Sequence, residues 1–206
     1  SLMSLEEILK STNGKLVYSP SEKFEFCFDN VTTDSRHVKE NSLFVPLVGE
    51  RQDGHIYIHQ AIQNGATVIF AAISWVKNNW EEIAAKLAYE ESKSFWVIGV
   101  ENTLYALQDA AANYVQKFPN LKRIGITGSS GKTTTKEIAV SVFSQFFDVI
   151  YNEGNFNSET GLPLSVFKIR KNHQVGIFEM GMNRFGEMAE LATVLKPQYV
   201  IITNIG

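Results

Sequence analysis

The sequence predicts an α/β fold: a small N-terminal α/β domain followed by a parallel-sheet domain of the P-loop type. Strand-like apolar runs alternate with amphipathic helical stretches along the chain, which is the pattern of α/β proteins. A glycine-rich run, GITGSSGKTTTKE (125–137), stands between a predicted strand and a predicted helix, the context that a phosphate-binding loop requires. The chain has 206 residues, 44% of them hydrophobic and 20% charged, so a packed core is expected.

Local signals predict the elements of the first half in order. Ser4 and Glu7 have the spacing of a capping box, so a first helix is expected to end near Gly14. Aromatic, β-branched or continuous apolar runs predict strands, and amphipathic spacing predicts helices. The strands are expected over 24–33, 42–47, 67–72 and 94–100, and the helices over 56–64 and 79–91. Pro46 makes the second strand an edge strand or an irregular one.

A long helix over 102–118 begins the second half, and the alternation then resumes. Strands are expected over 122–127, 148–151, 174–180 and 199–206. One helix is expected to run from the glycine-rich run to residue 147, a second to begin where the loop 154–163 ends, and a third to span 185–195. The domain boundary is placed near residue 101, which gives domains of 1–100 and 101–206. The sequence stops directly after an apolar strand, where the ligand-binding loops of α/β sheets follow, so we expect a piece of a longer protein.

Composition argues against several functions. The net charge of −3 provides no basic field for nucleic acid, and no apolar run is long enough to cross a bilayer. The N-terminus lacks the basic and apolar regions of a signal peptide. Cys27 is the single cysteine, so the chain can form no internal disulfide, which suits a reducing cytoplasm. We therefore expect a cytoplasmic protein that neither binds nucleic acid nor inserts into a membrane.

The glycine-rich run has the chemistry of a nucleotide site. Gly128 and Gly131 let the backbone approach phosphate oxygens, and the helix that follows adds its positive N-terminal dipole. Lys132 would reach the β- and γ-phosphates, and the hydroxyl of Thr133 would ligate Mg²⁺. The common pattern G-x-x-x-x-G-K-[ST] fails at its first glycine, where Ile126 stands, so the run is a variant. A serine-rich turn that only caps a helix is the alternative.

Further candidate ligands follow two other predicted strands. Glu179 ends the strand QVGIFE and would meet the glycine-rich run at one sheet edge if the strands are parallel, where a carboxylate suits Mg²⁺. Its alternative is an ordinary strand-end acid in solvent. Asn155, Asn157 and Glu159 lie in a glycine-bounded loop and would contact the γ-phosphate, the metal or a second substrate. Asparagine-rich loops also simply form turns, and composition alone leaves both interpretations open.

Many short motifs, in order from Met3 onward, resemble the Mur ligase family. The matching stretches are TTDSR (32–36), LFVPLVGERQDGH (43–55), NGATVIF (64–70), GITGSSGKTTTKE (125–137), GNFNSETGLPLS (154–165), FEMGMNRFGEM (178–188) and PQYVIITNIG (197–206). The ATP loop of this family also lacks the standard first glycine. The GSSGKTTTKE form and the EMGM…GEM run favour the member that joins D-alanyl-D-alanine to UDP-N-acetylmuramoyl-tripeptide, with the third residue of that peptide, lysine or diaminopimelate, left open.

The resemblance implies a monomeric cytoplasmic ligase of cell-wall synthesis that uses ATP and Mg²⁺. ATP would phosphorylate the terminal carboxylate of the muramoyl peptide, and the amine of D-alanyl-D-alanine would attack the acyl phosphate. The implied ATP-binding residues are Thr127, Gly128, Ser129, Ser130, Gly131, Lys132, Thr133 and Thr134. The implied catalytic residues are Lys132, Glu179 and Asn155, and the implied metal ligands are Thr133 and Glu179. The implied residues for the uridine-linked substrate are Ser35, Arg36, Glu50, Arg51, Gln52, Asn157 and Thr160.

The resemblance also limits what the chain is expected to do. In the family, a histidine-containing segment, a modified lysine and a C-terminal domain follow the point where this sequence stops. We therefore expect this chain to bind ligands weakly and not to ligate by itself. The alternatives are a sister ligase that adds a single amino acid, a folylpolyglutamate-type synthetase, a nucleotide-binding regulatory module, and a non-catalytic domain in which the glycine-rich run is structural. The motifs at 32–36 and 43–55 argue against the folate enzymes, which lack the first domain.

Overall fold

The structure is a computed structural model that describes residues 1–20, 25–50, 52–88 and 94–205. The chain forms two compact units, Ser1–Ala110 and Ala111–Gly206, and each contains one β-sheet. The boundary expected near residue 101 falls just before the helix in which the first unit ends. In the described part of the chain, no helix has the length and apolar character needed to cross a membrane.

The first unit is a five-stranded sheet with helices. Its strands are β1 (Lys15–Tyr18), β2 (Asn30–Thr32), β3 (Ser42–Phe44), β4 (Ala66–Ala72) and β5 (Trp96–Val100), and its helices are α1 (Leu5–Thr12), α2 (Ile58–Gln63), α3 (Ile73–Ala88) and α4 (Thr103–Tyr114), the last continuing into the second unit. The strand order is β1-β5-β4-β3-β2. Among the strands that the structure describes in this unit, only β1 runs antiparallel to its neighbour. The capping box of Ser4 and Glu7 forms as expected.

Several predicted bounds in this unit are wrong in detail, among them the strand expected over 42–47, which ends at Phe44. The strand expected over 24–33 is limited to β2, with residue 24 outside the described residues. The aromatic run before β2 packs without joining the sheet: Phe28 is fully buried, and its carbonyl accepts a hydrogen bond from Leu2 N at 2.8 Å. Helix α3 begins at Ile73 and not near 79, directly after β4.

The second unit is a four-stranded parallel sheet. Its strands are β6 (Lys122–Thr127), β7 (Val149–Tyr151), β8 (Val175–Glu179) and β9 (Tyr199–Ile202), in the order β7-β8-β6-β9. Its helices are α5 (Lys132–Phe143), α6 (Gly161–Val166) and α7 (Glu187–Leu195). Because the strands are parallel, their carboxyl ends share one edge, which brings Thr127, Glu179 and Ile202 to the same side of the sheet. The predicted fold class, α/β with parallel sheets, is confirmed.

The packing of α5 explains the missing glycine of the phosphate-loop pattern. Ile126 is fully buried in β6 and pairs with both Glu179 and Ile201. It belongs to the core on which α5 packs, together with Ile124, Val140, Val175 and Ile177. The turn therefore starts only after Thr127, and a large apolar residue serves the strand better than a glycine at position 126. Helix α5 itself ends at Phe143, four residues before the expected end at 147.

Candidate functional site

The glycine-rich run forms a tight turn between β6 and α5. Gly128 has a φ of 138° and Gly131 a φ of 79°, both in the region that favours glycine. A Cβ atom on Gly128 would lie 2.1 Å from Thr203 Oγ1, so a side chain has no room there. Gly131 is the N-cap residue of α5 and carries no side chain to cap it. The amides of the first turn of α5 are thus left to bind an anion.

The segment after β9 fixes the outer part of this turn. Ser129 N donates to Asn204 O at 3.2 Å, and Ser130 N donates to Asn204 Oδ1 at 2.9 Å. Thr203 Oγ1 donates to the carbonyl oxygen of Ser130 at 2.5 Å. Two amides of the predicted phosphate loop are therefore already engaged, and the amides at the start of α5 are the better placed donors for a phosphate.

Lys132, the first residue of α5, reaches back across the turn. Its Nζ donates to the carbonyl oxygen of Gly128 at 2.7 Å. The ammonium group is therefore held beside the N-terminus of α5, where an anion would bind. Thr134, which follows in the same helix turn, is exposed.

The predicted metal ligands lie together. Thr133 Oγ1 donates to Glu179 Oε2 at 2.8 Å, and Asn157 Nδ2 donates to Glu179 Oε1 at 2.8 Å. Glu179 is buried, with a relative exposure of 3%. Thr127 Oγ1, at the end of the neighbouring strand, is buried and has no hydrogen-bond partner within the described residues. A hydroxyl and a carboxylate at a helix N-terminus fit Mg²⁺, which takes oxygen ligands and is usually bound by one or two protein carboxylates together with phosphates.

The predicted residues of the asparagine-rich loop contribute to this site to different extents. Asn157 contacts the carboxylate of Glu179, and its own carbonyl accepts from Gly181 N at 2.7 Å. Asn155 lies in the same loop and is exposed, whereas Thr160 is the N-cap residue of the short helix α6. Glu159 forms an ion pair with Arg184 from the loop after β8. Hydrogen bonds with Glu190 of α7 and with Glu159 raise the pKa of the Arg184 guanidinium, and the Glu159 pair links the loop before α6 to the loop after β8.

Sequence reasoning missed two buried residues behind Glu179. Asn152 is almost fully buried, and its side chain bonds both backbone groups of Glu179 at 2.8 Å. Lys136 is fully buried, and its Nζ donates to the Asn152 carbonyl at 2.8 Å. The periodicity of α5 gives no reason to bury a lysine. The only sequence signal for Lys136 is its positive charge within the GKTTTKE run.

A separate polar cavity of about 680 Å³ lies within the first unit. Its lining residues come from the TTDSR segment, from residues 47–57 around the GERQDGH turn, and from α2: Thr33, Asp34, Ser35, Arg36, Leu47, Gly49, Gln52, Gly54, Tyr57 and Gln60. Three predicted substrate residues, Ser35, Arg36 and Gln52, thus share one cavity. Glu50 is exposed, and Arg51 lies outside the described residues.

Hydrogen bonds hold the walls of this cavity in place. Ser35 Oγ donates to Gln60 Oε1 at 2.8 Å, and Gln52 Nε2 donates to the Tyr57 hydroxyl at 2.6 Å. The Asp34 carboxylate pairs with Arg36 through Nε at 2.9 Å and Nη2 at 2.6 Å. These bonds from Arg36 lower the pKa of Asp34 to about 2. The cavity therefore presents an ionised, preorganised carboxylate–guanidinium pair beside neutral hydrogen-bonding groups.

His55 supports the turn on which Gln52 and Tyr57 lie, a role that sequence reasoning did not identify. The ring is fully buried and stacks on Trp75 with centroids 4.9 Å apart. Its Nε2 accepts from Ala72 N at 2.9 Å, so Nδ1 carries the proton and donates to Asp53 Oδ1 at 2.5 Å. The GERQDGH segment is thereby anchored to β4.

Comparison with known proteins identifies the family. Residues 126–206 match the Mur ligase middle domain, and residues 28–115 match the domain described as "Mur ligase family, catalytic domain". The chain is 45% identical over 205 residues to the UDP-N-acetylmuramoyl-tripeptide–D-alanyl-D-alanine ligase of Treponema pallidum, covering 100% of this chain and 43% of that protein. It is 35% identical to the ligase of the same name from Bacillus subtilis, covering 98% of this chain and 40% of that protein.

Solved structures give the same result. The crystal structure of MurF from Acinetobacter baumannii matches with a TM-score of 0.82 and 29% identity, over 98% of this chain and 41% of that one. The MurF ligase of Thermotoga maritima, solved in complex with ADP, matches with a TM-score of 0.70 and 32% identity, over 86% of this chain and 38% of that one. The chain spans less than half the length of these relatives. On its two matched segments and its fold, the chain belongs to the Mur ligase family and carries that family's N-terminal and middle domains.

Proposed function

We propose that the whole protein containing this chain is an ATP-dependent amide ligase of peptidoglycan precursor synthesis. It joins D-alanyl-D-alanine to UDP-N-acetylmuramoyl-tripeptide, the reaction named for the relatives in Treponema pallidum and Bacillus subtilis. The observation that carries the proposal is the contact of Thr133 with Glu179 at the N-terminus of α5, next to Lys132. That arrangement has the donors and the charge that a magnesium nucleotide needs.

The second unit would bind ATP by its phosphates. The amides at the start of α5 and the ammonium of Lys132 would hold the β- and γ-phosphates, within the loop Thr127–Thr134. Thr133 and Glu179 would hold Mg²⁺, which neutralises phosphate charge when bound. Asn157 orients the carboxylate of Glu179 through its 2.8 Å hydrogen bond. Asn155 is exposed in the same loop and stays a predicted catalytic residue.

Phosphorylation by ATP overcomes the poor reactivity of a carboxylate as an acyl donor. A carboxylate oxygen of the muramoyl peptide attacks the γ-phosphorus of ATP, ADP leaves, and an acyl phosphate forms. The amine of D-alanyl-D-alanine then attacks the acyl carbon, phosphate leaves, and the nitrogen loses a proton as the amide forms. The contribution of this chain is to position the phosphates and to offset their charge, which is most of what phosphoryl transfer requires.

The first unit would bind the uridine-linked end of the muramoyl substrate in its 680 Å³ cavity. The cavity offers hydroxyl, amide and charged groups from Ser35, Gln52 and the Asp34–Arg36 pair, which suits a polar nucleotide sugar. Glu50 and Thr160 stay predicted substrate residues without a contact that supports them, and Arg51, outside the described residues, stays a prediction as well. The cytoplasmic location and the monomeric state also stay predictions.

Phosphate release by the whole protein tests the proposal. The assay supplies ATP, Mg²⁺ and UDP-N-acetylmuramoyl-tripeptide, with D-alanyl-D-alanine in one reaction and single amino acids in others. We expect release that depends on D-alanyl-D-alanine, and we expect Glu179→Gln to abolish it while Glu6→Gln, an exposed carboxylate on α1, leaves it intact. Release with a single amino acid and a shorter muramoyl acceptor would instead identify a sister ligase. Nucleotide binding without any acceptor-dependent release would indicate a regulatory module.

A further inference from the structure

Lys136 is a buried lysine with no part in the proposed chemistry. Its side chain has a relative exposure of 1%. Its Nζ donates to the carbonyl oxygen of Asn152 at 2.8 Å, lies 3.1 Å from Glu137 Oε1, and is 5.8 Å from the centre of the Tyr151 ring. The ammonium therefore has a specific backbone acceptor at the end of β7.

Stability alone does not explain why a lysine stands there. Removing an ammonium group from water is costly, and an apolar side chain of similar volume often replaces a buried ion pair without loss of stability. The partner carboxylate of Glu137 has a relative exposure of 58%, so solvent screens its attraction for the buried cation. The contact with Asn152 is the part of the environment that an apolar residue could not reproduce.

Asn152 connects Lys136 to the predicted metal ligand. The last ladder pair between β7 and β8 joins Tyr151 to Ile177, so on the β7 side the ladder ends before Glu179, which still pairs with Ile126 of β6 on its other side. Beyond it, Asn152 Oδ1 accepts from Glu179 N at 2.8 Å and Asn152 Nδ2 donates to Glu179 O at 2.8 Å. One asparagine side chain thus fixes the backbone of Glu179 on the side where the ladder with β7 has ended.

The hydrogen bonds of Lys136, Asn152, Glu179 and Thr133 form a closed circuit between α5 and the end of β8. Lys136 lies three residues after Thr133 on α5, which places the two side chains on the same face of the helix. Thr133 contacts the carboxylate of Glu179, Asn152 holds its backbone, and Lys136 holds Asn152, each through hydrogen bonds of 2.8 Å. The distance between the start of α5 and the end of β8 is therefore set by two independent connections.

We propose that Lys136 is a positioning residue for the magnesium–phosphate site. It keeps the carboxylate of Glu179 opposite Thr133 by holding the end of β7 against α5. Magnesium requires near-ideal ligand geometry, so a small displacement of the carboxylate weakens the metal contribution to nucleotide binding. This inference rests on the proposed function, because it assumes that the site takes a magnesium nucleotide.

The test measures the magnesium-dependent gain in ADP affinity. The whole protein is titrated with ADP by calorimetry, once with Mg²⁺ and once with a chelator, and the ratio of the two affinities is the gain. We expect Lys136→Met to lower the gain about 10-fold, the usual effect of losing a group that orients a metal ligand. ADP affinity in the chelator should stay unchanged, because Lys136 touches no phosphate-binding group. Lys136→Arg, which keeps a cationic donor, should restore part of the gain, and the exposed Lys10→Met should keep all of it.

Each outcome decides the matter. A wild-type gain in folded Lys136→Met overturns the inference and leaves the proposed function standing. If that variant does not fold, Lys136→Gln, which keeps an N–H donor without the charge, carries the same decision, and failure of both to fold would make Lys136 a structural residue and also overturn the inference. A wild-type protein that binds no ADP, or gains nothing from Mg²⁺, refutes the proposed function itself and the inference with it.

Discussion

Glu179 is the residue on which the site depends, because both its backbone and its carboxylate are fixed. Asn152 holds the backbone, while Thr133 and Asn157 donate to the two carboxylate oxygens. A carboxylate with this many donors is oriented before any ligand arrives. Such preorganisation lowers the cost of binding a charged ligand at the helix N-terminus.

Replacement of Lys132 tests the predicted phosphate contact. Lys132→Ala removes the ammonium that now donates to the Gly128 carbonyl at 2.7 Å. We expect ATP affinity to fall at least about 10-fold, the scale of one charge-assisted hydrogen bond. Calorimetric titration of the whole protein measures this, with Lys10→Ala as the control for a lysine on an exposed surface. Unchanged affinity in Lys132→Ala would favour the structural interpretation of the glycine-rich run.

The Asp34–Arg36 pair predicts a pH dependence of stability. Hydrogen bonds from Arg36 lower the pKa of Asp34 from 3.8 to about 2 in the folded chain. A carboxyl group with a lowered pKa stabilises the fold above its ordinary value and loses that contribution as the pH falls through the folded value. We therefore expect the difference in free energy of unfolding between wild type and Asp34→Asn to shrink between pH 4 and pH 2. Urea titrations at several pH values would show it, and a constant difference would refute the pair's role.

Single residues also show where sequence reasoning ends. Thr133 and Glu179 were placed at one sheet edge from the motif and the strand pattern, and the structure brings them within 2.8 Å. Asn152 and Lys136 escaped notice because their contacts join residues 27 and 16 positions apart. The spacing of apolar residues within one helix or strand carries no information about contacts between elements so far apart in sequence. The burial of a lysine follows only once the neighbouring strand and helix are assembled.

At the scale of elements, the turn between β6 and α5 is the most constrained segment. Gly128 combines a φ of 138° with a Cβ position 2.1 Å from Thr203 Oγ1. We expect Gly128→Ala to lower the free energy of unfolding by about 2 kcal/mol or more, from backbone strain and displacement of the β9 end.

Gly154, in the loop after β7, provides the control for Gly128→Ala. It also has a positive φ, 50°, but a Cβ atom there meets nothing within 4 Å. Gly154→Ala should therefore cost only backbone strain, about 1 kcal/mol. Urea unfolding of both variants measures the difference. Equal losses would show that Thr203 does not restrict position 128.

Elements were predicted well where the apolar pattern was continuous. Strands β4, β6 and β8 appear within one or two residues of their expected bounds. Strand β1 was missed, because KLVY is short and largely exposed and joins the sheet only by pairing with β5. The aromatic run before β2 has the composition of a strand, but burial of Phe28 and not strand pairing accounts for its aromatic residues.

At the scale of the whole molecule, the sequence predicted the class but not the order of strands. Alternation of strands and helices indicated α/β units with parallel sheets, which both sheets confirm apart from β1. The order β7-β8-β6-β9 depends on which helix covers which face, and that information is spread over the chain. The cavity of the first unit likewise joins segments that are separate in sequence.

The most direct test of the proposed ligase follows oxygen from carboxylate to phosphate. The whole protein receives ATP, Mg²⁺, D-alanyl-D-alanine and UDP-N-acetylmuramoyl-tripeptide with heavy oxygen in its terminal carboxylate. Mass spectrometry then measures the label in the released phosphate. Because a carboxylate oxygen bonds to phosphorus and leaves with it, the account predicts that each phosphate carries a single labelled oxygen. Unlabelled phosphate, formed at the rate of the amide product, would contradict activation through an acyl phosphate.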